Sequence, residues 1–272
     1  MVKVIGVGDN TVDRYLHLGM IFPGGNSVNV SVLAHRLGHS AAYLGWLAKD
    51  PHGLLIYNSL KEEGVDVSRC RRVEGENAYC EVTLKDSDRV FGDFSEGVCN
   101  QIALNDEDLK FISAYDLVHT SVYSFINPYL RQLKSAAKVL SYDFSREWDR
   151  DSLAETLPFV DIALISNPVV NIDENKELIN YAFSFGPDMV LVTSGDQGAL
   201  LYDGSRYYHQ QVLPVEKVVD TLGAGDAFAA RFMVDYLGGF SVQVALQNAA
   251  KSAAETCTYY GAFGHGAPLY TK

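Results

Sequence analysis

Short apolar runs alternate with longer amphipathic segments along most of this chain. The apolar runs predict buried strands at positions 2–7, 41–46, 117–120, 139–143, 162–166, 189–193 and 199–202. Helical periodicity predicts helices at positions 27–37, 54–63, 129–138, 174–185, 227–233 and 242–256. Because parallel neighbours need a crossover connection, usually a helix, the alternation predicts an α/β fold with a mostly parallel central sheet covered by helices on both faces.

Two segments, 11–21 and 78–94, break this alternation because they show strand patterning with no helix between the strands. We expect a small β-sheet there that covers the open edge of the main domain as a lid. No repeat, linker or low-complexity tract interrupts the sequence. The whole chain, 1–272, is therefore predicted to form a single domain with the lid strands inserted in it.

The composition of the chain limits its partners. The 272 residues are 47% hydrophobic, enough for a substantial core, and carry a formal net charge of −12. Nucleic acid and anionic membrane surfaces favour basic patches, so we expect a small-molecule partner instead. The four cysteines show no metal-ligand spacing, and the apolar run before Asp9 is too short for a signal peptide or a membrane span, so we expect a cytoplasmic protein.

The stretch 220–228, Asp-Thr-Leu-Gly-Ala-Gly-Asp-Ala-Phe, carries the clearest candidate chemistry. Gly223, Ala224 and Gly225 permit a tight turn that opens a helix, whose unpaired N–H groups can hold phosphate oxygens. Asp226 beside them can accept the proton of an attacking hydroxyl. The residues alone leave a second interpretation, a glycine turn in which Asp226 only caps the helix.

This stretch resembles the signature of the ribokinase-like (PfkB) carbohydrate kinases, and it lies near the C-terminus as in that family. The resemblance extends over essentially the whole chain, from Gly8 to Ala262. It implies a ribokinase-like three-layer α/β/α domain with ATP and Mg²⁺ as cofactors. It also implies that Asp226 is the catalytic base and that the 223–225 amides form an anion hole.

A second motif, Gly-Gly-Asn-Ser-Val-Asn at 24–29, stands at the start of the first long helix. By itself it can be a turn followed by a helix cap from Asn26 or Ser27. It resembles the family's Gly-Gly-x-x-x-Asn sugar-binding motif, which implies that Gly25, Asn26 and Asn29 contact substrate hydroxyls.

Asp9 and Asp13 follow the first predicted strand, and ligands of open α/β sheets bind at the carboxyl ends of the strands. Asp9 can instead be a turn aspartate, and Asp13 a solvated lid residue. The resemblance implies that both bind sugar hydroxyls.

The lid segment 88–94, Asp-Arg-Val-Phe-Gly-Asp-Phe, carries Arg89. A charged hairpin of this kind is usually only solvated. Together with Tyr-Asp-Phe-Ser at 142–145, however, it resembles a branch of the family that phosphorylates fructoselysine, a sugar–amine adduct. Arg89 can then pair with the carboxylate of the amino-acid half of such a substrate.

The stretch Thr-Ser-Gly-Asp-Gln-Gly at 193–198 follows a predicted strand and can be an ordinary hairpin turn. It resembles the family's Thr-x-Gly-x-x-Gly nucleotide segment, which implies ATP contacts by Thr193, Gly195 and Gly198. The resemblance also implies that Asn248 lies near the adenine; the alternative is that Asn248 is only an amide on a helix face.

One departure from the family concerns its Asn-x-x-Glu motif, linked to magnesium and phosphate handling, which appears at 167–170 as Asn-Pro-Val-Val. Asn167 can keep a nucleotide role, while Asp173, Glu174 or water would have to replace the missing glutamate. Asp220 can hold K⁺ together with backbone carbonyls near Tyr260, as in potassium-activated members, or it only anchors the turn.

The expected function is an ATP-dependent kinase for a primary hydroxyl, first of all the 6-hydroxyl of fructoselysine or a related ketosamine. Fructose, another sugar or a nucleoside is the alternative acceptor, and a non-catalytic sugar sensor is an alternative of another class. The sequence has no Gly-x-x-x-x-Gly-Lys-Ser/Thr, and the glycines at 6 and 8 lack the third glycine of a dinucleotide fingerprint. We expect a homodimer formed through the lid.

Overall fold

The structure, a computed structural model, describes residues 1–85, 88–168 and 171–269, without the side chains of 84, 85 and 88–91. In chain order the strands are β1 (Lys3–Val7), β2 (Thr11–Tyr15), β3 (Met20–Gly24), β4 (Ser40–Leu44), β5 (Trp46–Ala48), β6 (Arg71–Val73), β7 (Tyr79–Lys85), β8 (Asp88–Ser95), β9 (Leu117–Ser121), β10 (Leu140–Asp143), β11 (Ile162–Ser166), β12 (Met189–Thr193), β13 (Ala199–Tyr202), β14 (Tyr207–Gln210) and β15 (Ala267–Pro268). The α-helices are α1 (Asn26–Arg36), α2 (Pro51–Glu62), α3 (Asp106–Ile112), α4 (Leu130–Ala136), α5 (Arg150–Thr156), α6 (Ile172–Phe183), α7 (Ala224–Leu237) and α8 (Val242–Thr256).

The central sheet has eight strands in the order β14-β13-β12-β11-β10-β9-β1-β4. The pairs from β12 through β4 are parallel, and β13 and β14 add an antiparallel edge. Successive strand residues divide between two cores: Val4 packs with α1, α7 and α8, whereas Ile5 packs with residues of α3 to α6. Both faces of these strands are buried, which explains their nearly continuous apolar runs. The predicted three-layer α/β fold with a mostly parallel sheet is confirmed.

Positions 11–21 and 78–94 contribute to a second sheet of five strands, ordered β15-β3-β2-β7-β8, which we call the lid sheet. Strand β2 pairs with β7 in parallel, and the other neighbours are antiparallel. Strand β15, from the end of the chain, was not expected from the sequence pattern. Arg89 lies on β8 opposite Leu84, and its side chain is outside the described residues.

The structure corrects the predicted strand at 41–46. Strand β4 ends at Leu44, and β5 leaves the central sheet to pair with β6 in a separate two-stranded sheet. Gly45 separates them, where a Cβ atom would lie 2.0 Å from the Tyr43 hydroxyl oxygen. That hydroxyl donates to the Gly8 carbonyl at 2.7 Å, so the crowding follows from a contact distant in sequence.

Two short helices of seven residues each, α3 and α5, were not predicted from the sequence periodicity. Both begin with a capping box, at Asn105 and at Asp149. Helix α7 begins at Ala224, one turn earlier than the apolar run at 227–233 indicates, with Gly223 as its N-cap.

Helix α1 approaches β1 unusually closely, and this approach places its N-terminus. A Cβ atom on Gly6 would lie 2.1 Å from the Ser27 carbonyl oxygen. Ser31 Oγ accepts from the Gly6 N–H at 3.1 Å and donates to carbonyl oxygens of Ser27 and Ala42, each at 2.9 Å. The first residues of α1 are thereby fixed over the carboxyl end of β1.

Within the described ranges, no helix combines the length and the apolar character needed to cross a membrane.

We predict that Gly6→Ala destabilises the protein by about 1–3 kcal/mol, because the new methyl group collides with the Ser27 backbone and with the hydrogen-bonded Ser31 hydroxyl. The free energy of unfolding in urea measures this. Ser40→Ala, at the exposed start of the neighbouring strand, is the control and should change stability by less than about 0.5 kcal/mol. Equal stability of the two variants would contradict the close packing of α1 on β1.

Candidate active site

Two carboxylates and one side-chain amide meet where β10, α1 and α7 converge. Asp143 is the last residue of β10, Asn26 the first of α1 and Asp226 the third of α7. Asn26 Nδ2 donates to Asp143 Oδ2 and to Asp226 Oδ1, both at 2.8 Å. The amide therefore joins three elements that are far apart in sequence.

Asn29 completes the surroundings of Asp226. Its Nδ2 donates to Asp226 Oδ2 at 2.6 Å, so each oxygen of that carboxylate accepts from an amide. Asn29 Oδ1 is buried and has no hydrogen-bond partner among the described residues. Because buried acceptors are nearly always satisfied, this oxygen is suited to accept from a bound hydroxyl.

Burial dominates the electrostatics of this centre. It raises the pKa of Asp226 to about 7, opposed by the hydrogen bonds from Asn29 and Asn26 and assisted by the negative charges of Asp143 and Asp9. It raises the pKa of Asp143 to about 6, opposed by the Ser145 N–H and by Asn26. Asp226 is thus poised to take up a proton near neutral pH.

The N-terminus of α7 forms an open turn beside Asp226. Gly223 adopts φ of 75°, and a Cβ atom there would lie 2.4 Å from the Ala262 Cβ. No side chain caps this helix in the described structure. The Ala224 N–H donates to the Thr221 carbonyl at 3.3 Å, whereas no partner for the Gly225 N–H is found among the described residues, so this group is available to a ligand. A Cβ atom on Gly225 would meet no atom within 4 Å, so this side of the turn is open to a ligand.

Asp9 and Asp13 both lie near the N-terminal end of α1, the helix that carries Asn29. Asp9 Oδ1 accepts from the Ser27 N–H and from the hydroxyls of Ser27, Ser121 and Ser124 at 2.8–3.2 Å. Its Oδ2 accepts none of the hydrogen bonds recorded among the described residues.

The Asp13 carboxylate and Asn29 Oδ1 lie 2.5 and 3.8 Å from the position that a Cβ on Gly24 would take. Any larger residue at position 24 would therefore collide with the Asp13 carboxylate. Gly25 adopts φ of 107°, a backbone conformation that other residues rarely adopt. A Cβ atom there would also lie 2.5 Å from the Asn10 Cα, so position 25 requires glycine.

Of the predicted nucleotide residues, Thr193 ends β12 and Asn167 directly follows β11. Thr193 and Ser166, whose hydroxyl oxygens are 3.3 Å apart, line a narrow crevice with Asp143 and Gly225. The crevice connects the open α7 turn to the segment that begins at Thr193. In that segment Gly195 (φ 56°) opens a short 3₁₀ turn, Gly195–Gln197.

Gly198 ends the turn with φ of 86°, where a Cβ atom would lie 2.1 Å from the Gln210 carbonyl oxygen.

Asn167 is held by a residue that sequence reasoning missed. Its Nδ2 donates to Asn175 Oδ1 at 2.8 Å, and Asn175 Nδ2 donates to Ser194 Oγ at 3.1 Å. The expected substitutes for the missing glutamate, Asp173 and Glu174, are instead exposed. They accept from the side chains of Lys176 and Asn171, and no contact between them and Asn167 is recorded.

Asn248 is not brought into the cluster around Asp226. It lies on α8 and donates to Asp235 Oδ2 at 2.7 Å. Asp235 is nine residues beyond Asp226 on α7, which corresponds to about 14 Å along the helix axis. The helix-face alternative accounts for this contact, and a role near the adenine stays a prediction.

Asp220 joins the turn that precedes α7 to the lid sheet. Its Oδ1 accepts from the Leu222 N–H, and its Oδ2 accepts from the Gly261 N–H, each at 3.0 Å. Oδ2 also accepts from the hydroxyl of Tyr15, on β2. Asp220 therefore anchors the turn, as the alternative interpretation predicts.

Two members of the centre, Asp143 and His119, were not among the candidate residues. Asp143 could have been predicted, because it is an acidic residue at the carboxyl end of a predicted strand, where ligands of open α/β sheets bind. His119 Nε2 lies 2.6 Å from Asn26 Oδ1, but the residue sits in the apolar run of β9, where nothing in the sequence marks it.

Comparison with known proteins gives a consistent result. Residues 17–265 match the sequence profile described as pfkB family carbohydrate kinase. The chain is 41% identical to fructosamine kinase FrlD of Bacillus subtilis, over 98% of this chain and 95% of that protein. It is 36% identical to fructoselysine 6-kinase of Escherichia coli, over 97% of this chain and 100% of that protein.

Solved structures show the same fold. Ribokinase of Arabidopsis thaliana, complexed with ribose and ATP, superposes with a TM-score of 0.81 at 22% identity, covering 96% of this chain and 93% of that one. A putative ribokinase II from E. coli, in complex with ATP and Mg²⁺, superposes with a TM-score of 0.82 at 21% identity, covering 97% and 95%.

We predict that Asp226 titrates near pH 7 in the ligand-free protein and that Asn29→Ala raises this midpoint by about one unit. The variant loses an amide donor that stabilises the charged carboxylate. Carboxyl-carbon NMR shifts followed against pH measure both values. Asn248→Ala, which removes an amide about 14 Å away, is the matched control. A midpoint that moves equally in both variants would contradict the prediction.

Proposed function

The chain belongs to the pfkB family of carbohydrate kinases, and we propose that it transfers the γ-phosphoryl group of ATP to the 6-hydroxyl of fructoselysine or a related ketosamine. Membership makes it an ATP-dependent sugar kinase. The names of the two relatives reported above, which match at 41% and 36% identity over nearly the full length, support the acceptor. The observation that carries the chemistry is Asp226, a half-buried carboxylate whose pKa desolvation raises to about 7, beside an uncapped helix N-terminus.

In this proposal Asp226 is the general base. The acceptor oxygen forms a bond to the γ-phosphorus, its proton passes to the Asp226 carboxylate, and the bond from that phosphorus to the oxygen of the leaving ADP breaks. The N–H groups of the 223–225 turn, in particular that of Gly225, stabilise the negative charge on the transferred group. Because Asp226 must be ionised to accept the proton, kcat/KM should fall as pH drops through about 7.

The acceptor sugar is proposed to lie against Asn29, Asp13 and Asp9. Asn29 Oδ1 lacks a partner, Asp9 Oδ2 is not engaged by the described residues, and Asp13 approaches the same glycine as Asn29. Hydroxyl groups of a sugar can donate to all three oxygens. Asn26 and Gly25 then shape the end of the pocket next to Asp226.

ATP is proposed to bind along the carboxyl ends of β11 and β12. Thr193 and the glycines at 195 and 198 form one wall, and Asn167 another. Mg²⁺ supplies positive charge to the phosphates of the bound nucleotide. The described residues contain no group of three or more His, Cys, Asp or Glu side chains arranged to hold a metal ion, which suits an ion held mainly by phosphate and water.

Three further assignments belong to the proposal. Asp220 takes part in a K⁺ site, because it is a nearly buried carboxylate at the catalytic turn. The protein dimerises through the lid sheet, whose edge strand β8 exposes Phe94 by 68%, and sedimentation velocity tests this. It acts in the cytoplasm, consistent with four scattered cysteines that show no metal-ligand spacing, and cell fractionation tests this.

We predict that Asp226→Asn lowers kcat by at least about a hundredfold while the Kd for ATP changes less than about threefold. The amide cannot accept the proton, but the anion-binding turn remains. Steady-state kinetics and calorimetric ATP titration measure the two effects. Ser40→Ala, at the exposed start of β4, serves as the comparison and should change neither quantity. Turnover near that of the unaltered protein would refute the assignment of the base.

The acceptor is tested by ADP release with fructoselysine, other ketosamines, fructose, other hexoses and nucleosides, using Asp226→Asn as the blank. We expect the highest kcat/KM with fructoselysine, a rise in its KM in Arg89→Ala, and no change in that variant with fructose. Parallel assays in K⁺ and in tetramethylammonium test the cation site. Highest efficiency with fructose or a nucleoside would replace the acceptor, and ADP release with none of them would favour a sugar sensor.

A further inference from the structure

His119 is a buried histidine whose hydrogen bond to the catalytic centre, among the described residues, is to Asn26. It lies on β9 with no exposed surface, between Asn26 on one side and Ser141 on the other. Its Nε2 is 2.6 Å from Asn26 Oδ1, and its Nδ1 is 2.8 Å from Ser141 Oγ. Burial lowers the pKa of His119 to about 3, so the ring is neutral at physiological pH.

The Asn26 amide has one orientation that satisfies every neighbour. Its two N–H groups face the oxygens of Asp143 and Asp226, which accept hydrogen bonds when ionised. A flipped amide would turn its carbonyl oxygen toward both carboxylates and remove a donor from each. The carbonyl must therefore face His119.

This orientation fixes the tautomer of His119. Since Asn26 Oδ1 can only accept, the proton of the neutral ring is on Nε2, and Nδ1 carries a lone pair. The Ser141 hydroxyl then donates to Nδ1 at 2.8 Å in preference to the Val118 carbonyl at 3.2 Å. Donors follow one direction, from Ser141 through His119 and Asn26 to the two carboxylates.

We infer that His119 is a positioning residue for the phosphoryl transfer: its Nε2–H holds the Asn26 amide in the orientation that directs both N–H groups at Asp143 and Asp226. The inference rests on the proposed function, since the positioned group is the general base Asp226. It assigns the neutral histidine no proton transfer of its own.

The surroundings of Asp226 show why this orientation matters. The groups with the largest effect on its charge are two amide donors, Asn29 and Asn26, and two negative charges, Asp143 and Asp9. The amides favour the ionised base, whereas burial and the two carboxylates oppose it. If the Asn26 amide is free to rotate, Asp226 loses one of its two amide hydrogen bonds, and its pKa rises.

The inference is tested with His119→Leu and His119→Gln. Leucine cannot donate, whereas glutamine Nε2 can reach the position of the imidazole Nε2–H. In His119→Leu we expect the acidic limb of the kcat/KM profile to move up by about one pH unit, a loss of about fivefold at pH 7, with the KM for ATP unchanged. In His119→Gln the limb should stay within about 0.3 unit of its original position.

The control is His52→Leu, which replaces a half-buried histidine on α2 and should leave the profile unchanged. An unshifted limb in folded His119→Leu would overturn the inference. An equal shift in both His119 variants would also overturn it, because the shape of the ring rather than its donor would then be responsible.

A measurement on the unaltered protein keeps the inference testable if His119→Leu fails to fold. Imidazole nitrogen NMR shifts should show His119 as the neutral Nε2–H tautomer throughout pH 5–8. A Nδ1–H tautomer or a protonated ring would overturn the inference. This readout needs no substrate, so a failure of the proposed acceptor chemistry is distinguishable from a failure of the positioning role.

Discussion

The architecture of the centre depends on one hydrogen-bonded amide, that of Asn26, held between Asp143 and Asp226. Asp143 and Asp226 are half-buried carboxylates that repel each other, and their partial burial raises the pKa of both. The amide reduces this cost by donating to each of them. Because its donors come from α1 and its acceptors from β10 and α7, the same contact fixes the relative positions of three elements.

Close packing of α1 makes that contact possible. Because Gly6 has no side chain, β1 packs directly against the Ser27 carbonyl of α1. Because Gly24 has none, the Asp13 carboxylate can lie beside Asn29. These glycines are needed for proximity between backbone and neighbouring groups rather than for flexibility. The open turn at Gly223 then places an uncapped helix N-terminus next to the Asp226 carboxylate. The charges and the hydrogen-bond donors of the centre are thus arranged by backbone packing.

Much of this arrangement could be predicted from the sequence. The strands at 162–166 and 189–193 agree with the structure at both ends, because strands buried on both faces leave continuous apolar runs. The turn before α7 was found because its small residues and acidic group are contiguous. The end of β4 before Gly45 could not be predicted in this way, because it depends on the Tyr43 hydroxyl, which donates to the carbonyl of the distant Gly8.

By itself the sequence determined the α/β fold, the family signature and the segments that supply the sugar and nucleotide motifs, because each of these depends on neighbouring residues. Only the tertiary structure decided which side chains meet. It placed Asp143 and His119 around Asn26. It also paired Asn167 with Asn175, and Asn248 with Asp235, by hydrogen bonds. Such contacts join residues from different strands and helices, so their hydrogen bonding and charge are set by packing that no local pattern records.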